Sequence, residues 1–315
     1  MDPPPCSPAS FADWARQWLA SPETELKDSS RVRYTNILNS YLLPTFGGLP
    51  PDALSRERVA AYRQELLQSG GKNGCGLSPK TVTDILSVLK CVLRYAQDRG
   101  ARTVDLRGLV ARQQRKPLRV FSEEEQRRLT AWLVAKPDLC RLGILLSLYT
   151  GLRIGELCAL RWGDIDLAEG CLCVRATLQR LQTFDENQKT RIVITPPKSA
   201  SSLRSIPLPD FLVVVLRPYQ RTDACFFLTG TPFFVEPRTM ENRYKEALRA
   251  CGIRDATFHA CRHSFATRCV ELGFDVKSLS EILGHASVSI TMNRYVHPPM
   301  DFKRKNMNRL SSLID

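Results

Sequence analysis

The chain has 315 residues, 45 Lys plus Arg against 32 Asp plus Glu, a formal net charge of +13 and 43% hydrophobic residues. That length suits two domains better than one, and 24% charged beside 43% apolar residues excludes a disordered chain. The longest apolar run, Phe211 to Leu216, falls far short of the roughly 20 residues of a helical membrane span, and the opening Met-Asp-Pro-Pro-Pro lacks the basic and apolar regions of a secretory signal.

The basic excess comprises 33 Arg and 12 Lys, and the guanidinium fork grips phosphate in two places at once. Nucleic acid is the partner this favours, although solvated basic faces are common. The 11 cysteines include Cys171-x-Cys173 but no C-x-x-C pair, which reads as reduced packing residues of a cytoplasmic protein.

In chain order, Phe11 to Leu19, Arg31 to Leu42 and Arg56 to Ser69 carry short amphipathic patterns. Pro79 to Arg99 carries a long one, with Val82, Ile85, Leu86, Leu89, Val92, Leu93 and Ala96 on one face, Ser78 as cap and Gly100 beyond the end. Four helices in a small bundle are predicted over residues 1–112. The loop Gly70 to Gly76 fails the phosphate-loop spacing and reads as a connector. Arg115 and Lys116 before Pro117 make 113–118 a basic linker. A second domain, 119–300, opens with Ser122 and Glu125 as a capping box, continues as a buried helix from Arg141 to Leu160 interrupted at Thr150-Gly151, and passes into one small antiparallel sheet between Cys171 and Leu208. Helical periodicity returns from Arg238, and 301–315 form a basic tail tipped by Leu310, Leu313 and Ile314. The class is mainly α with a small antiparallel sheet, α+β.

All four histidines, His259, His263, His285 and His297, fall in the last fifth of the chain. His259 and His263 have the i, i+4 spacing of a zinc-binding helix, but Ala260 stands where a zinc protease needs Glu, so no metal is expected. His259 and Arg262, three apart on a helix, instead share a face and can aim at one anion. Arg153, in Thr150-Gly-Leu-Arg-Ile-Gly-Glu-Leu157, has Glu156 at i+3, which reads either as a plain surface ion pair or as the group that aims the arginine.

Together these motifs resemble the tyrosine recombinases, the phage integrase family of site-specific DNA recombinases. Thr150 to Leu157 is similar to the family's first-arginine box, and Leu160-Arg-Trp-Gly-Asp-Ile-Asp166 to the family's segment just after that box. Pro197-Lys-Ser199 before Arg204-Ser-Ile-Pro-Leu208 resembles the hairpin bearing the catalytic lysine. His259-Ala-Cys-Arg262-His263-Ser-Phe-Ala-Thr267 resembles the His-x-x-Arg box, and Leu283-Gly-His285 through Tyr295 the segment that ends in the nucleophile. Cys261 stands where an apolar residue is usual, a tolerated packing change. The first 10 residues leave no room for the arm-site-binding domain of larger integrases, so the expectation is an element that works without it or a truncated chain.

The resemblance implies a helical core-type DNA-binding domain and a catalytic domain closing around double-stranded DNA as a C-shaped clamp, without metal, ATP or other cofactor. It implies Arg153, Lys198, His259, Arg262, His285 and Tyr295 as catalytic residues. The two arginines bind the non-bridging oxygens, His259 shares the phenolic proton, Lys198 protonates the leaving oxygen and His285 holds the phosphate. Tyr295 forms a 3′-phosphotyrosine bond that conserves the energy of the broken linkage. At helix starts, Arg31, Arg33, Lys80 and Thr81 are candidates to hold DNA phosphates, with Arg115 and Lys116 in the linker. A homotetramer on DNA, monomeric when free, is implied, with the tail docking on a neighbouring protomer and an accessory directionality factor as a further partner. The Tyr-Val-His-Pro and Leu-Gly-His-Ala-Ser-Val-Ser stretches look more like integrases of phages and conjugative transposons than chromosome-dimer resolvases. A non-catalytic DNA-binding regulator of the same fold and a type IB topoisomerase are the competing readings.

Overall fold

The computed structural model describes residues 9–71, 74–111, 118–183, 189–196, 202–295, 304, 307 and 308. Arg115, Lys116, Lys198 and the tail residues Leu310, Leu313 and Ile314 lie outside them. The chain divides into two compact units, Met1–Lys116 with Leu181–Lys189, and Pro117–Arg180 with Thr190–Asp315.

The first unit is helical. Helix α1 (Phe11–Ala20) starts at a Ser10–Asp13 capping box. Helix α2 (Asp28–Ile37) starts three residues before the sequence pattern predicts, passes through a π-helical turn at Leu38–Leu42 and ends in the short α3 (Leu43–Phe46). Pro44 has no N–H for the carbonyl four residues back, and there the bonding shifts, with the Leu43 N–H reaching Leu38 O. Helix α4 (Arg56–Ser69) and the long α5 (Pro79–Gln97) complete the bundle. In α5 the Ser78 hydroxyl accepts from the Thr81 N–H at 3.1 Å, and the predicted apolar stripe is buried throughout against Phe11, Leu38, Phe46 and Val59.

The second unit contains α6 (Glu123–Ala135), α7 (Leu139–Thr150) and α8 (Ile154–Ala159). It continues through β1 (Ile165–Asp166), β2 (Cys171–Val174), β3 (Thr177–Gln182), β4 (Thr190–Thr195) and β5 (Arg204–Pro207). Five more helices come after β5, namely α9 (Asp210–Leu216), α10 (Pro237–Ala250), α11 (His259–Glu271), α12 (Val276–Leu283) and α13 (Val288–Tyr295). The sequence pattern predicts one sheet, but the strands form two: an antiparallel β1-β2-β5 sheet with Leu172 opposite Ile206, and a separate β3-β4 pair. Alternating apolar residues predict that strands exist; which edges meet depends on non-local packing. Helix α7 is buried almost all round and packs on α11, and Cys261, fully buried, is part of the same core.

Among the described residues, no helix is long and apolar enough to cross a membrane.

Candidate active site

Four segments of the second unit build the site. Gly151 closes α7 in the left-handed region, φ +69°, a backbone that L side chains rarely adopt. The turn it makes places Arg153 as the residue before α8. Position 155 is a glycine because a Cβ there would lie 2.8 Å from the Leu178 carbonyl oxygen.

Arg153 donates from Nη1 to Glu156 Oε1 at 2.6 Å, and its N–H donates to Oε2 at 2.9 Å. Glu156 also accepts two bonds from Arg204, at 3.1 and 2.9 Å. The Glu156 and Arg204 side chains are each 5% exposed, so this is a buried carboxylate between two guanidiniums rather than a surface pair. Burial pushes the Glu156 carboxyl up, but the hydrogen bonds and charge of Arg204, with the charge of Arg153, outweigh it and hold the pKa at about 2. Arg204 in turn donates to Ile282 O at 2.6 Å, tying the β5 edge to α12.

Arg262 is 2% exposed. It donates to Gly151 O at 2.8 Å and to Leu283 O at 2.6 Å, stitching the turn before Arg153 to the end of α12. Arg153 reaches the adjoining Gly284 carbonyl at 3.5 Å, so both guanidiniums converge beside His285. Burial, then the Arg153 charge, pulls the Arg262 pKa down to about 9, still cationic at neutral pH.

His285 Nδ1 lies 2.7 Å from Thr291 Oγ1, and Thr291 is fully buried. This bond fixes the ring and leaves Nε2 to face a ligand. The His285 ring stands 6.3 Å from the Tyr295 ring, nearly parallel at 5°. Tyr295 ends α13 and packs on Ala266, Cys269, Leu279 and Leu283. Burial raises its phenol pKa, which the nearby charges of Arg262 and Arg294 partly offset.

The structure thus brings Arg153, Arg262, His285 and Tyr295 together, with Glu156 behind Arg153. It differs from the sequence reading at the phenol. The resemblance implies His259 for proton sharing, yet the imidazole bonded to Tyr295 Oη is His263, at 2.9 Å through Nδ1. His259 stands on the solvent side of α11, its ring edge-on to His263 at 4.5 Å. Arg204 and Thr291 are the other members the sequence reading missed. Arg204 carried a signal, since a carboxylate facing one cation has lone pairs to spare; Thr291 carried none.

Residues 119–301 match the phage integrase family. The chain belongs to that family. Residues 10–67 also match the N-terminal SAM-like domain of phage integrases. The chain is 27% identical to the tyrosine recombinase XerC-like protein of Caldanaerobacter subterraneus, over 91% of this chain and 79% of that one. It is 22% identical to the ICEBs1 integrase of Bacillus subtilis, over 97% and 83%. The Tn1549 transposon integrase, solved with transposon right end DNA, shares its fold at TM-score 0.75 and 21% identity, covering 96% of this chain and 99% of that one. A lambda integrase tetramer bound to a Holliday junction matches at TM-score 0.63 and 17% identity, covering 93% and 80%. Like its relatives, this family member is a DNA strand-transferring tyrosine recombinase.

In the first unit the candidate phosphate ligands are spread over two helices. Arg31 and Arg33 sit beyond the first turn of α2 and not at its start; the Arg31 N–H is already bonded to Lys27 O at 2.9 Å, so the free amides invoked for them are absent. The Arg31 guanidinium turns to the Leu19 carbonyl. Arg33 and Lys80 pair with Asp84, and both remain about half exposed, at 54% and 57%. Lys80 lies in the first turn of α5, beside Thr81, whose N–H is taken by the Ser78 cap.

Proposed function

We propose that this protein recombines double-stranded DNA at specific sites, integrating or excising a mobile element through a 3′-phosphotyrosine intermediate. The observation that carries this reading is the convergence of Arg153 and Arg262 on the carbonyls of Gly284 and Leu283, beside His285 and Tyr295. The scissile phosphodiester is an anion, and attack by a phenol adds charge to it. Two guanidiniums held rigidly by main-chain carbonyls stabilise that charge without reorganising during the reaction. Tyr295 Oη forms the bond to phosphorus, the 5′-oxygen departs, and the ester keeps the linkage energy for a second strand. His285, anchored through Nδ1, offers Nε2 to a phosphate oxygen, and His259, open to solvent on the same side, a second contact. Lys198 is assigned the proton for the leaving 5′-oxygen by family resemblance. Arg33, Lys80 and the linker residues Arg115 and Lys116 hold the duplex backbone, with Arg31 and Thr81 in weaker roles.

The assembly we propose is a homotetramer on DNA, the tail docking on a neighbouring copy, working in the cytoplasm where its thiols stay reduced. Likeness to the XerC-like relative supports a second reading, resolution of DNA dimers, with the same chemistry on a different site.

The test is a suicide substrate nicked near the crossover point. The wild type should become attached to the 3′-phosphate, and Tyr295→Phe should bind the same DNA without attachment. An adduct formed by Tyr295→Phe overturns the assignment. Binding should weaken steeply with salt, because each phosphate contact releases counterions.

A further inference from the structure

Arg204 has no part in the mechanism above, yet its side chain, 5% exposed, reaches into the site from the first residue of β5. Strand alternation turns it to the same side as Ile206, which is buried. Nη1 and Nη2 donate to the two oxygens of Glu156 at 3.1 and 2.9 Å, Nη1 also meets Ser202 O at 3.2 Å, and Nε donates to Ile282 O at 2.6 Å. A guanidinium, with its donors fixed in one plane, spans such a set of acceptors; an ammonium does not.

The end of α12 shows what that reach achieves. The last carbonyls of a helix have no partner within it. Here the N–H groups of Gly284 and His285 turn back to Glu281 O and Ser280 O, at 2.9 and 3.1 Å. The next three carbonyls each accept from a different arginine: Ile282 from Arg204 at 2.6 Å, Leu283 from Arg262 at 2.6 Å and, more weakly, Gly284 from Arg153 at 3.5 Å. A helix C-terminus favours cations, and this one sets three guanidiniums side by side just ahead of His285. Arg153, its side chain 36% exposed, is open to a ligand, and Arg204 stands behind it.

We propose that Arg204 is a positioning residue for strand transfer: by sharing Glu156, it leaves the Arg153 guanidinium with charge and N–H groups to offer the scissile phosphate. This rests on the reading of Arg153 as a phosphate ligand. One carboxylate stands between two guanidiniums, so Arg153, Glu156 and Arg204 together keep a single net positive charge. Without Arg204 they become a neutral pair, and an incoming anion meets no net charge there. Each Glu156 oxygen takes one bond from Arg153 and one from Arg204. With the second donor gone, the freed lone pairs draw the Arg153 guanidinium toward a two-pronged grip on Glu156 and away from the ligand. Burial pushes the Glu156 carboxyl up, and the hydrogen bonds and charge of Arg204 rank ahead of those of Arg153 among the effects that hold it at about 2. The carboxylate that aims Arg153 is thus kept ionised chiefly by Arg204.

The test uses the full chain on the nicked suicide substrate in single turnover at saturating DNA, with binding measured in parallel. Arg204→Gln should bind DNA as the wild type does and form the Tyr295 adduct about 10²-fold more slowly, the usual effect of misplacing a reacting group by about 1 Å. Amplitude separates this from misfolding, since a chain that is merely less stable gives fewer adducts at the wild-type rate. Arg204→Lys keeps the charge that Glu156 shares but not the fork, and its rate should lie between the two. Glu156→Gln and Arg204→Gln act on the same group, so their losses should not multiply. The double variant, which buries no uncompensated charge, should stay about 10²-fold slow rather than about 10⁴-fold. The proposal is overturned if Arg204→Gln keeps wild-type speed, if Arg204→Lys is no faster than Arg204→Gln, or if the losses multiply, for then Arg204 does not act through Glu156. Should Arg204→Gln fail to fold, the double variant measured against Glu156→Gln decides: equal rates support the role, and a further fall of about 10²-fold overturns it. Arg153→Gln reacting at wild-type speed, or a wild type that forms no Tyr295 adduct, would instead refute the reading of the site itself.

Discussion

Glu156→Gln isolates the worth of the buried carboxylate that aims Arg153. The Glu156 side chain is 5% exposed and takes hydrogen bonds from Arg204 Nη1, Arg204 Nη2, Arg153 Nη1 and the Arg153 N–H. Its pKa falls from 4.5 to about 2 on folding, which at 1.36 kcal/mol per unit is worth about 3 kcal/mol. Removing one member of a buried ion pair costs about 3–5 kcal/mol, because the other charge is left buried and uncompensated; the two routes agree. For a unit of this size the loss should lower Tm by roughly 6–12 °C, read by calorimetry or circular dichroism at pH 7. The sign with pH comes from a depressed pKa: the stabilisation is complete above about 4.5 and is lost as pH falls toward 2. Arg127→Ala is the control. Its partner is Glu123, the two side chains are 77% and 66% exposed, and solvated pairs contribute under about 1 kcal/mol. With Arg153 no longer held from behind, adduct formation should also fall about 10²-fold while DNA binding persists. A Glu156→Gln protein within about 2 °C of the wild type, far less than the loss of a buried pair allows, would refute the reasoning.

Thr291→Val keeps the shape of a fully buried residue but removes the bond to His285 Nδ1; adduct formation should fall about 10–100-fold with Tm nearly unchanged. Gly151→Ala forces a Cβ to within 2.7 Å of Phe265 Cδ1 and 2.9 Å of Leu283 Cδ2, at φ +69°; urea unfolding should register a loss of about 1–3 kcal/mol, and the carbonyl that accepts from Arg262 should be displaced. The pKa values of His263 and His285 are held to about 4 and 3, in both cases by burial first. The unfolded chain, protonating near 6.5, takes up protons before the native one does. Stability of the free protein should therefore decline as pH falls from about 6.5 toward 4, and the slope should be shallower in a His263→Asn, His285→Asn double variant.

Local chemistry makes much of this protein legible in its sequence. The Ser78-Pro79 start and the three-and-four apolar spacing of α5 are a helix in any context, since capping and burial of one face are short-range matters. The Arg153, Arg262, His285 and Tyr295 motifs likewise carry their identities in adjacent residues. Where a proline alters the hydrogen bonding, as Pro44 does below α2, a π-helical turn interrupts the α-helix. What tertiary structure alone decides are contacts between segments far apart in sequence. Glu156 is shared by Arg153 and by Arg204, 48 residues on; two sheets form where strand pattern foretells one; and the imidazole of His263, not that of His259, lands on the phenol. The His259-x-x-Arg262-His263 spacing places both rings on one helix face. Which of them touches Tyr295 is settled by how α13 docks on α11, through the apolar bed of Ala266, Cys269 and Leu283. Burial is a property of the packed chain, and so is every pKa shift that burial causes.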